Sequence, residues 1–568
     1  MRSRFIFRTR VLCGLFIIVA LFLIVRLYVV QIVRGAGYQR DATAQYVAPN
    51  PDTGSRGSIL FRAKNDELVS AAIMQTGWRI AIKPEDINEP ESVYEKLNAL
   101  TPIDRERFFV NAAKKDDPYE EVAFRVADDV GPKIRAQKIP GVILVQDQWR
   151  FYPAGTLAAQ TVGFVGFRGA TKAGVYGLEN EWEETLSQKR SDRYVNPFAE
   201  IFMNIEAVAS NDPSAHEGSI VTSIEPSVEQ QLETTLEAVM KTYSPRLAGG
   251  VIMDPHTGEI IAIAAHPTFD PNAYSIVEDP AVFSNPLVEN IYEMGSIMKP
   301  LTMAVGIDRE VVTPSTTYDD TGCIEKSGKK ICNYDGKARG VVSMQEVLNQ
   351  SLNTGASFVV DKIGHTIFGT YVKALELGKK TGVDLPNEAT GRIQPIENGY
   401  DVDYASASFG QGISVSPIAM TRALSALANG GVLPSPHVVT AIKYQSGITR
   451  TIKPEEGPRV FSATSTDTVT RMLVTVFDKA LLGGVLKQEH YSIAAKTGTA
   501  QIAVSGGYSP DRFLHSFFGY FPAHDPKFIV FLFAVEPHGA EFASATLARP
   551  FLEIAKFLIN YYNIPPDR

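Results

Sequence analysis

The stretch "AGGVIMDPHTGEIIAIAA", Ala248 to Ala265, decides how the second half of the chain folds. Two apolar runs flank "PHTG", a polar turn with proline and glycine, and that pattern specifies a β-hairpin. Just upstream, "PSVEQQLETTLEAVMKTY" puts Val228, Leu232, Leu236, Val239 and Tyr243 on one helical face. Far downstream, "YSIAAKTGTAQI" (491–502), "SFFGYFPA" (516–523) and "KFIVFLFAVE" (527–536) read as three more strands. A helix over "RPFLEIAKFLINYY", Arg549 to Tyr562, follows them. The segment between is mostly helical. In "SPIAMTRALSALANGG" Ser416 is a cap, Pro417 fits the first turn and two glycines mark the stop. The economical model is α+β: one five-stranded antiparallel sheet, assembled from both ends of a domain and flanked by helices, with an all-helical subdomain between.

The first half reads differently. From about Gly35 to Ala215 extended segments alternate with turns and charged helical stretches such as "YEKLNAL" and "GLENEWEETLSQK". "RGSILFRAKNDELVSAAI" (Arg56–Ile73) is two strands about a polar turn, and "IPGVILVQDQWRFYP" (Ile139–Pro153) supplies another. No nucleophile-like residues cluster here, so a spacer or docking platform is expected. Before it, Arg2, Arg4, Arg8 and Arg10 precede an apolar run from Val11 to Val33, interrupted by Arg26 and Gln31. These 23 residues suffice for a membrane-spanning helix. The arginines keep the N-terminus in the cytoplasm and place the rest of the chain outside. A signal peptide would have a shorter apolar core with a small-residue site close behind it. Ala42-Thr43-Ala44 lies well beyond the run, which favours a retained anchor.

Composition narrows the function. The 568 residues are 45% hydrophobic and carry a net charge of −8 without a basic patch in the bulk, which argues against a nucleic-acid partner. There are three cysteines, and no histidine–cysteine cluster has metal-ligand spacing, so neither a metal nor another cofactor is called for. What remains is a set of short motifs. "IYEMGSIMKPLT" (Ile291–Thr302) sets Ser296 three residues before Lys299, on one face of a helix start. "NQSLNTGAS" holds Ser351 and Asn353, and "AAKTGTAQ" holds Lys496, Thr497, Gly498 and Thr499 within an expected edge strand. A serine hydroxyl needs an adjacent base. Lys299 serves only when neutral, which burial and a second cation, Lys496, both favour.

The order Ser-x-x-Lys, Ser-x-Asn, Lys-Thr-Gly is that of penicillin-binding proteins and β-lactamases. The chain resembles, over most of its length, the class B penicillin-binding proteins, monofunctional D,D-transpeptidases of the bacterial cell wall. "RGSIL", "RFYPAGTLAAQTVGFVG", "GVYGLENEWEETL", "SFGQGISVSPIAM" and "KTGTAQ" all match that family's pattern. The resemblance implies a cytoplasmic tail (1–10), a single-pass anchor (11–33), a non-catalytic pedestal or dimerisation-like domain (34–215) and a penicillin-binding transpeptidase domain (216–568). It implies acylation of Ser296 by a stem peptide ending in D-Ala-D-Ala, release of D-alanine and transfer to an amine of a neighbouring stem. Lys299 would be the base, and the backbone N–H groups of Ser296 and Thr499 the oxyanion hole. Ser351 would relay a proton to the leaving group and Asn353 would hold the substrate amide. Lys496 and Thr497 would bind the terminal carboxylate, while Gly498 would let the substrate backbone lie along the strand. β-Lactams would mimic the dipeptide. A membrane glycan polymerase of the SEDS type and other cell-wall assembly proteins are the implied partners. A β-lactam sensor, a serine β-lactamase and an inactive cell-wall scaffold are the alternatives; division and elongation roles are equally compatible.

Three positions depart from the family pattern: "FRAKNDE" stands for an acid-Arg-Asn-Gly turn, Met294 for a proline, and "GAEFASATLARP" for a glycine-rich loop. One feature is independent of the family. If Ser327-Gly328 is the two-residue loop of a hairpin in "CIEKSGKKIC", the register sets Ile324 opposite Ile331, Glu325 opposite Lys330, and Cys323 opposite Cys332. A disulfide is expected there, two reduced thiols being the alternative; an exterior location allows it to persist.

Overall fold

The computed structural model describes residues 56–169, 171–187, 217–397, 399–444, 446–504 and 507–568. The anchor expected at 11–33 and the domain boundary expected at 215/216 lie outside the described residues. Among those described, no helix is long and apolar enough to cross a membrane. Two units emerge, one of residues 75–149 and the other of residues 56–74 with 150–568.

In the first unit, helices Pro90–Asn98, Arg105–Ala112 and Val130–Ala136 share a small core with strand Glu120–Ala127 and the end of strand Leu68–Ile82. Asp104 starts the second helix by accepting from the backbone N–H of Arg107 at 2.8 Å, which satisfies a donor the first turn leaves unpaired. That fixes Phe108, fully buried beside Ile80, Leu97 and Ile134. In the second unit, strand Ile59–Arg62 pairs antiparallel with Leu68–Ala72 and parallel with strand Gly218–Thr222. Three sequence motifs converge beside it. Arg56 and Arg150 each place Nε 2.6 Å from a different carboxylate oxygen of Glu179, which is fully buried. Burial pushes the Glu179 carboxyl up, but the two guanidiniums prevail and hold it below the usual range.

The larger unit is built on the expected sheet. Helix α1 (Pro226–Tyr243) is capped by Glu225, whose carboxylate accepts from Val228 N at 2.7 Å, with Pro226 in the first turn. Strands β1 (Leu247–Met253) and β2 (Ile260–His266) form the hairpin. Helices α2 (Lys299–Asp308), α3 (Asn353–Ile363) and α4 (Pro417–Ala428) lie in the middle of the chain. Strands β3 (Ala494–Val504), β4 (Gly507–Phe521) and β5 (Phe528–Val535) complete the sheet before helix α5 (Ala543–Tyr562). The order is β3-β4-β5-β1-β2, every neighbour antiparallel, so β3 is an edge.

Strand alternation splits the side chains between two cores. Phe517, Val530 and Leu532 pack with Leu232, Leu236 and Phe551 of α1 and α5, whereas Phe518, Phe531 and Phe533 pack with Leu301, Val359 and Leu424 of α2–α4. All eight residues of β5 are buried, which is why its sequence is a continuous apolar run. Each large side chain contributes roughly 1.5–3 kcal/mol by leaving water. On α1, Glu229 is buried as well: one oxygen accepts from Ile263 N at 2.8 Å and the other has no partner. Burial, together with the charge of nearby Glu233, pushes the Glu229 carboxyl well above its ordinary range.

One expectation needs correction. The last helix begins at Ala543, not Arg549, and contains Pro550. A proline there removes a backbone hydrogen bond at a cost of ~3 kcal/mol. The first turns survive because Ala543, Thr546, Leu547 and Ala548 are all fully buried, so tertiary burial offsets what the proline costs.

Candidate active site

Each motif sits on a different element. Ser296 lies in a 3₁₀ turn, Gly295–Met298, that runs into α2 at Lys299, with Pro300 at its first turn where the missing N–H costs least. Two glycines allow this turn its place. Gly295 has φ +65 and donates its N–H to Gly410 O at 3.0 Å; a Cβ on Gly410, itself at φ +80, would stand 2.2 Å from Gly295 O. The loop "SFGQG" therefore braces the serine turn backbone to backbone. Ser351 lies between two helices with φ +55, a left-handed conformation costing roughly 1–3 kcal/mol in a residue with a Cβ. Asn353 opens α3, and Lys496 to Thr499 lie on the edge strand β3.

The polar centre is Ser351. Lys299 Nζ donates to Ser351 O at 2.5 Å and to Ser351 Oγ at 3.1 Å. Lys496 Nζ donates to the same Oγ at 3.0 Å and to Thr497 O at 3.0 Å. Both lysines are almost completely buried, at 1% and 2% exposure. Burial and, second, the positive field of Lys496 hold the Lys299 amine well below its ordinary range. Burial alone brings Lys496 down to about 7. Two amines meet at one hydroxyl with, among the described residues, no carboxylate bonded to either, and amines held below their ordinary range by burial are suited to exchanging protons. In this arrangement Lys299 bonds to Ser351 and not to Ser296 Oγ, so the pair read from the sequence is a triangle centred on the second serine.

Ser296, Ser351, Asn353, Thr497 and Thr499 line one cleft of about 960 Å³. Asn353 Nδ2 donates to Cys332 O at 2.9 Å. Gly498 does not line the cleft. A Cβ there would stand 2.4 Å from Ser516 Oγ and 2.7 Å from Met294 O, and Ser516 Oγ donates to Met294 O at 2.9 Å. Its missing side chain lets the serine turn press against β3.

Some features of the cleft were not legible in sequence. Asp320 accepts from Asn333 Nδ2 at 2.9 Å and from Thr354 Oγ1 at 2.7 Å, and Asn333 Oδ1 accepts from Thr354 N at 3.3 Å. This clasp fixes the start of α3, and so Asn353, to the base of a hairpin formed by Cys323–Lys326 and Lys329–Cys332. The hairpin has the register Cys323↔Cys332, Ile324↔Ile331, Glu325↔Lys330 and Lys326↔Lys329. The two sulfurs are bonded, with Cα atoms 4.0 Å apart. Across the cleft, Tyr334 and Phe542 meet edge to face at 5.6 Å, and Tyr508 donates to Glu293 at 2.9 Å. No spacing rule pairs such distant residues, and the exposure of Phe542 and Tyr334 is visible only in the folded chain.

This fold and site define a serine acyltransferase of the penicillin-recognising type. Residues 248–554, more than half of the chain, match the model of the penicillin binding protein transpeptidase domain, and the chain belongs to that family. It is 28% identical to the stage V sporulation protein D of Bacillus subtilis, over 92% of this chain and 80% of that protein. It is 24% identical to the peptidoglycan D,D-transpeptidase FtsI of Escherichia coli K12, over 99% and 92%. The crystal structure of penicillin binding protein 3 from Mycobacterium tuberculosis, complexed with aztreonam, shares the fold with a TM-score of 0.69 at 23% identity, covering 91% of this chain and 98% of that one.

Proposed function

We propose that the protein is a peptidoglycan D,D-transpeptidase that cross-links stem peptides through an acyl-enzyme on Ser296. The observation that carries this reading is the convergence of Lys299 and Lys496 on Ser351 in the cleft that Ser296 lines. Ser296 Oγ attacks the carbonyl of the penultimate D-alanine while neutral Lys299 takes its proton. The backbone N–H groups of Ser296 and Thr499 receive the developing oxyanion. The C–N bond breaks, and the proton reaches the departing D-alanine through Ser351, which already contacts both amines. Asn353 orients the substrate amide, and Lys496 with Thr497 receives the terminal carboxylate. An amine of a second stem then attacks the ester, forms the cross-link and returns the proton to Ser296. A β-lactam acylates the same oxygen.

The remaining assignments belong to this proposal. Residues 11–33 anchor the chain as a single span in the cytoplasmic membrane, with residues 1–10 inside and the catalytic domain outside. Residues 34–215 form a pedestal, 216–568 the catalytic domain, and a SEDS-type glycan polymerase supplies the strands. The experiment is labelling with a reporter penicillin, digestion and mass spectrometry. The adduct is expected on the peptide containing Ser296 and absent from Ser296→Ala; equal labelling of that variant overturns the assignment.

A further inference from the structure

We propose that the disulfide-closed hairpin beside Asn353 is a specificity element, in which Lys329 and Lys330 bind a carboxylate of the stem peptide upstream of its D-Ala-D-Ala end. This rests on the transpeptidase reading and adds the ligand chemistry of one wall of its cleft.

The hairpin is held as a fixed part of the site. The Cys323–Cys332 bond closes its base. The Asp320–Asn333 pair closes it again one step further out, at 2.9 Å and 3.0 Å. Ile331 is buried in a small apolar cluster with Ala356, Ala405 and Phe409. Such bracing is more than a solvent loop needs, and it ends at the carbonyl of Cys332, which holds Asn353.

The charges on the hairpin are unequal in their partners. Lys326 is paired with Asp361 at 2.7 Å, and Arg339, beyond the hairpin, with Asp335 at 2.7 Å. Lys329 and Lys330 are exposed, both line the catalytic cleft, and among the described residues neither ammonium has an ion pair or hydrogen bond. Glu325 is opposite Lys330 in the register yet makes no ion pair with it. Two acids also line the cleft, Asp403, which accepts from Tyr400 N at 2.8 Å, and Glu541, next to Phe542, and among the described residues neither forms an ion pair with the lysines. Neighbours on a strand leave on opposite faces, yet Lys329 and Lys330 both line the cleft, so together they make that wall of it positive and place it for an anion.

Reach identifies which anion. A strand advances about 3.3 Å per residue, so Lys330 and Lys329 stand roughly 7 Å and 10 Å along the chain from Cys332, and hence from Asn353. An extended substrate advances at the same rate. For a stem whose penultimate amide is on Asn353 and whose upstream part runs along the hairpin, the lysines meet the residues two to three positions further upstream. The terminal carboxylate lies with Lys496 and Thr497 and is a different group.

The test compares two soluble stem peptides that end in D-Ala-D-Ala, one with its upstream carboxylate free and one with it amidated, both with an intact terminal carboxylate. For the wild-type protein, kcat/KM should favour the free acid. In Lys329→Gln/Lys330→Gln that preference should fall roughly fivefold, as two exposed charge contacts warrant, with the change in KM rather than kcat. The preference should also shrink as salt rises from 50 to 500 mM, because exposed charges are screened. A preference unchanged by the double substitution, or losses equal for both peptides, overturns the proposal. Penicillin labelling of wild-type Ser296 is scored separately: its absence overturns the transpeptidase reading itself, whereas normal labelling with an unchanged preference overturns only the assignment of the lysines.

Discussion

Gly498→Ala tests how the catalytic turn is held. The added methyl would sit 2.4 Å from Ser516 Oγ and 2.7 Å from Met294 O, about an ångström inside ordinary contact. Strand β3 cannot simply rotate it away, because Lys496, Thr497 and Thr499 are fixed opposite Phe518, Phe517 and His515. Either β3 moves outward or Ser516 gives up its bond to Met294 O. Overpacking of this kind costs about 1–3 kcal/mol, and the lost hydrogen bond about 0.5–1.5 kcal/mol more, so the expected loss of stability is roughly 2–4 kcal/mol. Displacing β3 by about 1 Å separates Ser296 from Thr499 and Lys496, and misplacement on that scale lowers a rate about a hundredfold. Thermal unfolding and the second-order rate of penicillin acylation read the two effects. Gly498→Ala/Ser516→Gly removes the nearer clash and should recover part of both losses, although Met294 O still crowds the methyl. If Gly498→Ala keeps full stability and acylates penicillin normally while peptide turnover fails, the glycine serves the substrate backbone and the packing argument is wrong.

Three further outcomes are expected. Lys299→Arg keeps a cation but should abolish acylation, since guanidinium does not deprotonate in proteins; an arginine variant that acylates penicillin at the wild-type rate would demand another base. Glu229→Gln should stabilise the protein above neutral pH: the folded carboxyl is raised well above its ordinary value, so wild-type stability falls as pH climbs from about 4.5, and denaturant unfolding at pH 5 and pH 8 should show a smaller difference in the variant. Intact mass of the denatured full chain alkylated without reductant should show one added group, on Cys13, with Cys323 and Cys332 unmodified, and reduction should destabilise the hairpin by roughly 2.5–3 kcal/mol in the chain-entropy model; three added alkyl groups before reduction would exclude the bond.

Sequence by itself determined what depends on neighbours along the chain. Alternation and apolar runs gave β1 to β5. The apolar spacing from Val228 to Tyr243 gave α1, the cap at Ser416 gave the start of α4, and a two-residue loop was enough to set Cys323 against Cys332, because side-chain period and turn geometry fix a hairpin register. The motif order was also local text. Tertiary structure alone decided the rest. Ser351 lies 52 residues from Lys299 and 145 from Lys496, and no periodicity links such positions. The depressed basicity of both lysines comes from desolvation, which exists only once the helices close over the edge strand. Gly498 owes its size to the approach of Met294 and Ser516, and α5 starts six residues early because burial of Ala543, Thr546, Leu547 and Ala548 outweighs the local message of Pro550. Local propensities are worth tenths of a kilocalorie to about one per residue and about 3 kcal/mol for a proline, whereas each large side chain contributes roughly 1.5–3 kcal/mol on burial, so several buried residues together outweigh even Pro550.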